Sequence, residues 1–375
     1  MKNFIQRAIT GLIFVAVLIG CMIGGPLSFG ILFCIISALA TAEFCNLMNQ
    51  QEGVQINRNI CVLGSVALFL CFFYYGMNPA QTGIFIPYLI IIIYLMISEL
   101  YLKKEHPLNS WAYAMFSQLY VGLPFALLNV LAFHSNGWES VSQYQFILPL
   151  SIFAFNWVND TGAYCTGVLF GKHPLFKRIS PKKSWEGSIG GATFCVAASF
   201  ALAHFFPIMS TMAWVGMSLV VVLFGTWGDL TESLMKRHLG IKDSGNILPG
   251  HGGMLDRFDS SLLAIPAAAT TELSTPPERA SKTFLSFTCL RTKATCSSIN
   301  LFANSMVVIL AISSGLLLGN SINSKPLFLS INDFTIFYFS MKSTFLHFFL
   351  GITFFLNIKL VNFNSQSQYR QWIIF

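Results

Sequence analysis

Eight apolar runs, each close to the roughly 20 residues that a helix needs to cross a bilayer, leave this chain few folds to choose from. They occupy residues 8–24, 27–46, 59–76, 83–102, 110–133, 145–169, 188–208 and 211–232, and a ninth begins near Phe258. Backbone polar groups in hydrocarbon must be satisfied internally, and a helix does this within one segment. The expected fold is therefore all-α, a polytopic integral membrane protein with about nine transmembrane helices. Charged residues make up only 10% of the chain, whereas a soluble domain carries about 25%. The first run lacks a small-residue cleavage site and leads straight into a second span, so it does not read as a removable signal peptide.

Basic residues concentrate in cytoplasmic loops, and here their parity is consistent. Lys2 and Arg7 precede the first span. Counting inward from them, one set of loops holds Arg58, Lys103 and Lys104, then Lys172 to Lys183, then Lys236 to Lys242. The opposite loops, "MNPAQTG", "HSNGWESVSQ" and "PIMSTM", hold no Lys or Arg. The N-terminus and both long polar loops are expected on the cytoplasmic side. The nine cysteines are scattered, mostly through apolar runs, without a C-x-x-C pair, which argues against a disulfide or thiolate framework.

A change of texture divides the chain. Residues 1–270 hold 14 Lys/Arg and 12 Asp/Glu, a net of +2, whereas residues 271–375 hold 8 and 3, a net of +5. The break falls at "TTELSTPPERASKTF", whose Ser, Thr and Pro read as a linker. The ninth run, "SSLLAIPAAATTELSTPPERA", is expected to break off early at the polar and proline residues of "TTELSTPPERA", with Pro266 bending it. Beyond it, 299–318 and 334–356 are one or two further candidate spans in an atypical tail without a polar constellation. The expected division is therefore 1–270 and 271–375.

The chemistry sits in two polar loops. The first reads "WVNDTGAYCTGVLFGKHPLFKRISPKKSWEGSIGG", Trp157 to Gly191. Asp160 lies within a span, where a carboxylate is unfavourable unless paired or facing a polar cavity. Lys172, Lys177, Arg178, Lys182 and Lys183 could simply hold anionic headgroups. However, Ser180, Lys182, Lys183 and Ser184 stand just before glycines that open a helix. Hydroxyls, ammonium groups and free helix N-terminal amides suit a polyphosphate.

The second loop reads "GTWGDLTESLMKRHLGIKDSGNILPGHGGMLDRFDS". Asp229, Glu232, Ser233 and Lys236 share one helical face by their spacing. "PGHGG" supplies an open backbone, and Asp256 and Asp259 follow at i, i+3. Carboxylates from two helix ends could converge there on a hard cation, since Mg2+ takes one or two carboxylates plus substrate phosphates. His251 is either a ligand or a hydrogen-bonding residue. Each acid alone could instead pair with Lys236, Arg237 or Arg257. No Ser-His-Asp or Cys-His arrangement marks a covalent nucleophile, and phosphoryl or nucleotidyl transfer needs none.

"SLMKRHLGIKDSGNILPGHGGMLDRFD", Ser233 to Asp259, closely resembles the signature of phosphatidate cytidylyltransferases, the CDP-diacylglycerol synthases. "NDTGAYCTGVLFGK" and "ISPKKSWEGSIGG" resemble a second conserved region, and the likeness covers about residues 1–270. It implies transfer of the cytidylyl group of CTP to phosphatidate, giving CDP-diacylglycerol and pyrophosphate, at the cytoplasmic face of a bacterial-type inner membrane. By similarity Asp229, Asp256 and Asp259 would hold Mg2+, and Lys236 would serve the chemistry. Ser180, Lys182, Lys183, Ser184, Lys236, Arg237, His251, Gly252, Gly253 and Arg257 would bind the nucleotide. The family is also linked to a second, monovalent cation. A homodimer is compatible with this reading, and no nucleic-acid partner is expected. The competing readings are a family member impaired by its altered C-terminus, another phospholipid transferase, and an ion-coupled transporter. CDP-alcohol phosphotransferases carry D-G-x-x-A-R followed by G-x-x-x-D-x-x-x-D, which does not occur here. A transporter would place its acids near mid-membrane in discontinuous helices, whereas these cluster at one rim.

Overall fold

A computed structural model of the chain describes residues 2–79, 81–134, 142–245, 247 and 252–274, with 326–331, 334–339 and 359–361 in the tail. The chain divides into two units, Met1–Ser286 and Phe287–Phe375. The first is helical. Helices α1 (Lys2–Ile23) and α2 (Pro26–Met48) meet at a glycine pair, and Pro26 occupies the first turn of α2, where a missing N–H loses no bond. Asn57 caps α3 (Arg58–Met77), accepting the Ile60 N–H at 3.3 Å. After α4 (Ile86–Tyr101), helix α5 (Pro107–Ser117) passes through a π turn at Gln118–Gly122 into α6 (Leu123–Ala132). A two-residue ribbon, β1 (Phe133–His134) with β2 (Gln143–Tyr144), precedes α7 (Ile147–Phe170).

The polar segments are built around the last three helices. An antiparallel hairpin, β3 (Pro174–Phe176) and β4 (Ser180–Ser184), leads into α8 (Trp185–Phe205). Ser184 ends the strand and caps α8, accepting the Gly187 N–H at 3.1 Å. Helix α9 (Thr211–His238) is capped by Ser210. It finishes with Lys236, Arg237 and His238, cations that suit the negative end of a helix dipole. Helix α10 (Leu255–Ser274) packs against α6, α7 and α9.

Burial orders the bundle. The segment Pro107–Ala132 is 78% buried and lies at the centre, whereas Gly83–Tyr101 and Trp185–Phe205 are 17% buried and lie outside. Their outward faces carry Ile90, Ile93 and Leu100 on α4 and Ile189, Phe194 and Phe200 on α8. Apolar surface of that extent suits lipid rather than water.

Among the described residues six helices are long and apolar enough to cross a membrane, fewer than the nine spans expected. Two of the other expected spans have a physical reason to fall short: α7 carries Asn156, Asn159 and Asp160 in mid-helix, and α10 opens on Asp256 and Asp259. For α1 the described apolar stretch is Ala8–Ile23. Pro266 lies inside α10, which continues as helix to Ser274, into the polar stretch where the break is expected. The preceding turn gives up one hydrogen bond to the proline ring, and packing on three neighbours keeps the helix together.

The tail departs from an all-α chain. Its described residues form an antiparallel sheet of β5 (Pro326–Ile331), β6 (Phe334–Phe339) and β7 (Lys359–Val361), in the order β6-β5-β7. Phe334–Phe339 was expected within a spanning helix, but "FTIFYF" is rich in aromatic and β-branched residues, which favour strands. Residues 299–318, the other expected span of the tail, lie outside the described residues.

Candidate active site

Asp229, Glu232, Ser233 and Lys236, near the end of α9, form two pairs. Ser233 donates its hydroxyl to Asp229 Oδ1 at 3.1 Å. Lys236 reaches back to Glu232 at 2.8 Å and across to Asp256, on α10, at 2.9 Å. Glu232 is 1% exposed and Lys236 only 16%, so this ion pair is withdrawn from solvent. Removing one partner of such a pair strands a charge, a change that costs about 3–5 kcal/mol.

Asp256 is the junction of the turn. Its Oδ1 takes the Lys236 ammonium, and its Oδ2 accepts the backbone N–H groups of Ser244 at 2.8 Å and Gly253 at 2.9 Å. Burial acts to raise this carboxyl, but the Lys236 ammonium and the two amides outweigh it and hold the group below its ordinary range. The glycines of the motif have separate reasons to be glycine. Gly252 has φ 79°, a left-handed conformation that other residues rarely adopt. Gly253 approaches so closely that a Cβ would lie 2.6 Å from a carboxylate oxygen of Glu43 on α2.

Between the two signature aspartates, Phe258 is 1% exposed. Its ring packs edge-on against Phe14 of α1, Phe125 of α6 and Phe153 of α7. The start of α10 is thereby fixed from three sides. At Gly228 of α9 a Cβ would lie 2.5 Å from the Asp259 carbonyl oxygen, so this glycine sets how closely α9 and α10 approach.

The first polar loop meets this cluster through Lys183 and through Asp160, which feels the charges of Lys183 and Asp229. Lys183 on β4 pairs with Asp229. Lys182, the neighbouring strand residue, is exposed. Ser184 uses its hydroxyl to cap α8, and Ser180 is half-buried at the head of β4. Arg237 and Arg257 are exposed. Asp259 accepts the N–H of Ser260 at 2.6 Å. The expected phosphate-binding set is thus divided between buried, paired groups and an exposed rim. His251 lies outside the described residues.

The profile of the Cytidylyltransferase family matches residues 5–274, which includes the hairpin, the α9–α10 turn and α10. The chain belongs to this cytidylyltransferase family. Among its relatives, the phosphatidate cytidylyltransferase of Staphylococcus aureus (strain COL) is 34% identical over 262 residues, covering 69% of this chain and 95% of that protein. The phosphatidate cytidylyltransferases of Staphylococcus saprophyticus and Staphylococcus haemolyticus are 33% and 31% identical, over the same shares. The chain is an integral membrane nucleotidyltransferase of this family.

Within this family member, sequence reasoning passed over two buried acids. Glu232 was placed on the polar face of α9 but given no part in the site, although it holds Lys236. Glu43, 5% exposed in α2, accepts the Leu255 N–H at 2.8 Å. Glu43 did carry a signal: it is the sole acid of an apolar run, and an ionisable residue in a span marks a functional candidate.

The donors around the turn suit a hard cation in kind, being carboxylate oxygens. Among the described residues, however, no three His, Cys, Asp or Glu side chains are grouped to enclose a metal by themselves. Asp229 and Asp256 each pair with a lysine. Asp229, a quarter exposed, is the more open of the two.

Proposed function

We propose that this chain transfers the cytidylyl group of CTP to phosphatidate at the cytoplasmic face of a bacterial inner membrane. An oxygen of the lipid phosphate forms the new bond to the α-phosphorus of CTP. The bond from that phosphorus to the bridging oxygen breaks, and pyrophosphate leaves with the electron pair. CDP-diacylglycerol remains in the bilayer. The observation that carries this reading is the lysine–carboxylate network of the α9–α10 turn, which lies inside the family match. Relatives bearing the name phosphatidate cytidylyltransferase support it.

The residues divide the work by burial. Lys183 and Lys236 each have an acidic partner already, so an arriving polyphosphate competes for ammonium groups that are held in position. Accepting them frees oxygens of Asp229 and Asp256. Mg2+ held by Asp229 and Asp256, with Asp259 nearby, would supply charge neutralisation on the phosphates, which would provide its remaining ligands. Exposed Lys182, Arg237 and Arg257 form the rim at which the nucleotide enters, drawn by long-range attraction. The lipid reaches the turn from the bilayer along the apolar bundle. A monovalent cation and a homodimer belong to the same proposal.

The test is full-length protein purified in detergent and supplied with CTP labelled in its α-phosphate, phosphatidate and Mg2+. A labelled CDP-lipid that requires all three is the expected product. Label appearing only in free CMP, or none in lipid, removes the reading and leaves an impaired or differently employed family member.

A further inference from the structure

Glu43 lies 212 residues from Leu255 along the chain, yet its Oε2 accepts the Leu255 N–H at 2.8 Å. Leu255 is the first residue of α10. The first N–H groups of a helix have no acceptor within it, and a residue just before the helix usually supplies one. Here the acceptor comes instead from a different helix, and it is buried.

The backbone around the carboxylate is shaped to receive it. A Cβ at Gly245 would lie 2.5 Å from Oε1 of Glu43, and one at Gly253 would lie 2.6 Å from Oε2. The carboxylate therefore sits between the two arms of the turn and the start of α10. The next residue of that helix is Asp256, whose Oδ2 accepts the N–H groups of Ser244 and Gly253. One short stretch is thus held twice, by Glu43 through the Leu255 amide and by Asp256 through the amides of the turn.

We propose that Glu43 is a positioning residue. It anchors the first turn of α10 and thereby fixes where Asp256 presents its carboxylate to the reacting phosphates. The proposal rests on the cytidylyl-transfer reading above. Its physical content is hydrogen-bond acceptance rather than charge, because a second carboxylate, Asp256, already faces the same helix start. Gln in place of Glu43 keeps an oxygen acceptor of the same reach, and Ala removes it.

The experiment compares Glu43→Ala and Glu43→Gln with the full-length protein in detergent. It reads amide hydrogen exchange of peptides covering residues 241–260, and the Mg2+ dependence of CDP-lipid formation at saturating CTP. In Glu43→Ala, exchange across 241–260 should quicken while peptides of α2 keep their rates. The Mg2+ concentration for half-maximal rate should rise about tenfold, the equivalent of one decade in an equilibrium constant. Glu43→Gln should return both close to the original protein. The proposal is overturned if Glu43→Ala leaves both unchanged, or if Glu43→Gln is as damaged as Glu43→Ala. Faster exchange spread equally over α2 also overturns it, since that describes general loosening. If the unaltered protein makes no CDP-lipid, the reaction reading fails, and the exchange comparison alone decides the role of Glu43.

Discussion

On the β3–β4 hairpin and just before it, Lys172, Lys177, Arg178 and Lys182 are exposed to solvent. At the α9–α10 turn, by contrast, Lys236 and Glu232 are nearly sealed, and Asp256 is 6% exposed. Both segments are polar interruptions of an apolar chain, and both carry several charges. Burial separates them. Exposed charges are screened and exchange partners freely, so a single one contributes about 0–1 kcal/mol. A buried pair holds its geometry and is sensitive to losing either member. The hairpin can attract a polyphosphate, while the turn can hold one group in a fixed place. Lys183, paired with Asp229 and 30% exposed, belongs to the hairpin by sequence and to the turn by contact.

The strongest way to break this contrast is Asp256→Asn. Asparagine keeps the shape but loses the charge, leaving Lys236 to Glu232 alone and weakening the acceptor for Ser244 and Gly253. A loss of about 3–5 kcal/mol, the scale of a buried partner, felt in the transition state corresponds to a fall in kcat/KM of roughly two hundredfold to five thousandfold. Steady-state CDP-lipid formation measures it, and near-normal turnover would remove the turn from the chemistry.

A smaller effect sharpens the boundary between the two segments. Lys183→Ala should raise the KM for CTP about tenfold, since a charge-assisted contact is worth about 1.5–3 kcal/mol. Lys182→Ala, at the exposed neighbouring position, should change it by less than about threefold. Equal shifts in the two variants would mean that pairing with Asp229 confers nothing special on Lys183.

The smallest effect concerns acid. Asp256 is held below its ordinary carboxylate range, so its share of the turn's stability is fully present above the unfolded value, about 3.9. That share is lost only as the pH falls through the lower folded value. Amide exchange of Ser244 and Gly253, corrected for intrinsic rates, should be as protected at about pH 5 as at neutrality. Opening of the turn already at that pH would show that Asp256 is not the group that closes it.

Much of the site could be read from residues near one another in the chain. Asp229, Ser233 and Lys236 share a helix face by spacing alone, and their partners on that face obey it. Gly252 and Gly253 stood out as open backbone, and the structure gives each a reason. Lys182 and Lys183 could not be told apart by composition. The pairing of Lys183 with Asp229 and the exposure of Lys182 distinguish them. A hydroxyl before a glycine-rich helix suits either a ligand or a cap, and the hydroxyl of Ser184 caps α8.

Sequence alone determined the class of this protein. Runs of apolar residues admit only structures that satisfy their own backbone in hydrocarbon, and a long motif assigned the family. Those are local properties, set by hydropathy and by residue order within one stretch. Tertiary structure alone decided which charges are buried and which acids reach the turn from afar. Glu43 finds Leu255 because α2 lies beside the start of α10, a proximity that no spacing along the chain encodes. Likewise α10 persists through Pro266 because three neighbouring helices hold it, where the proline ring by itself favours a bend. The physical reason is the same in both cases: local patterns fix what a segment can be, and packing fixes which distant groups it must satisfy.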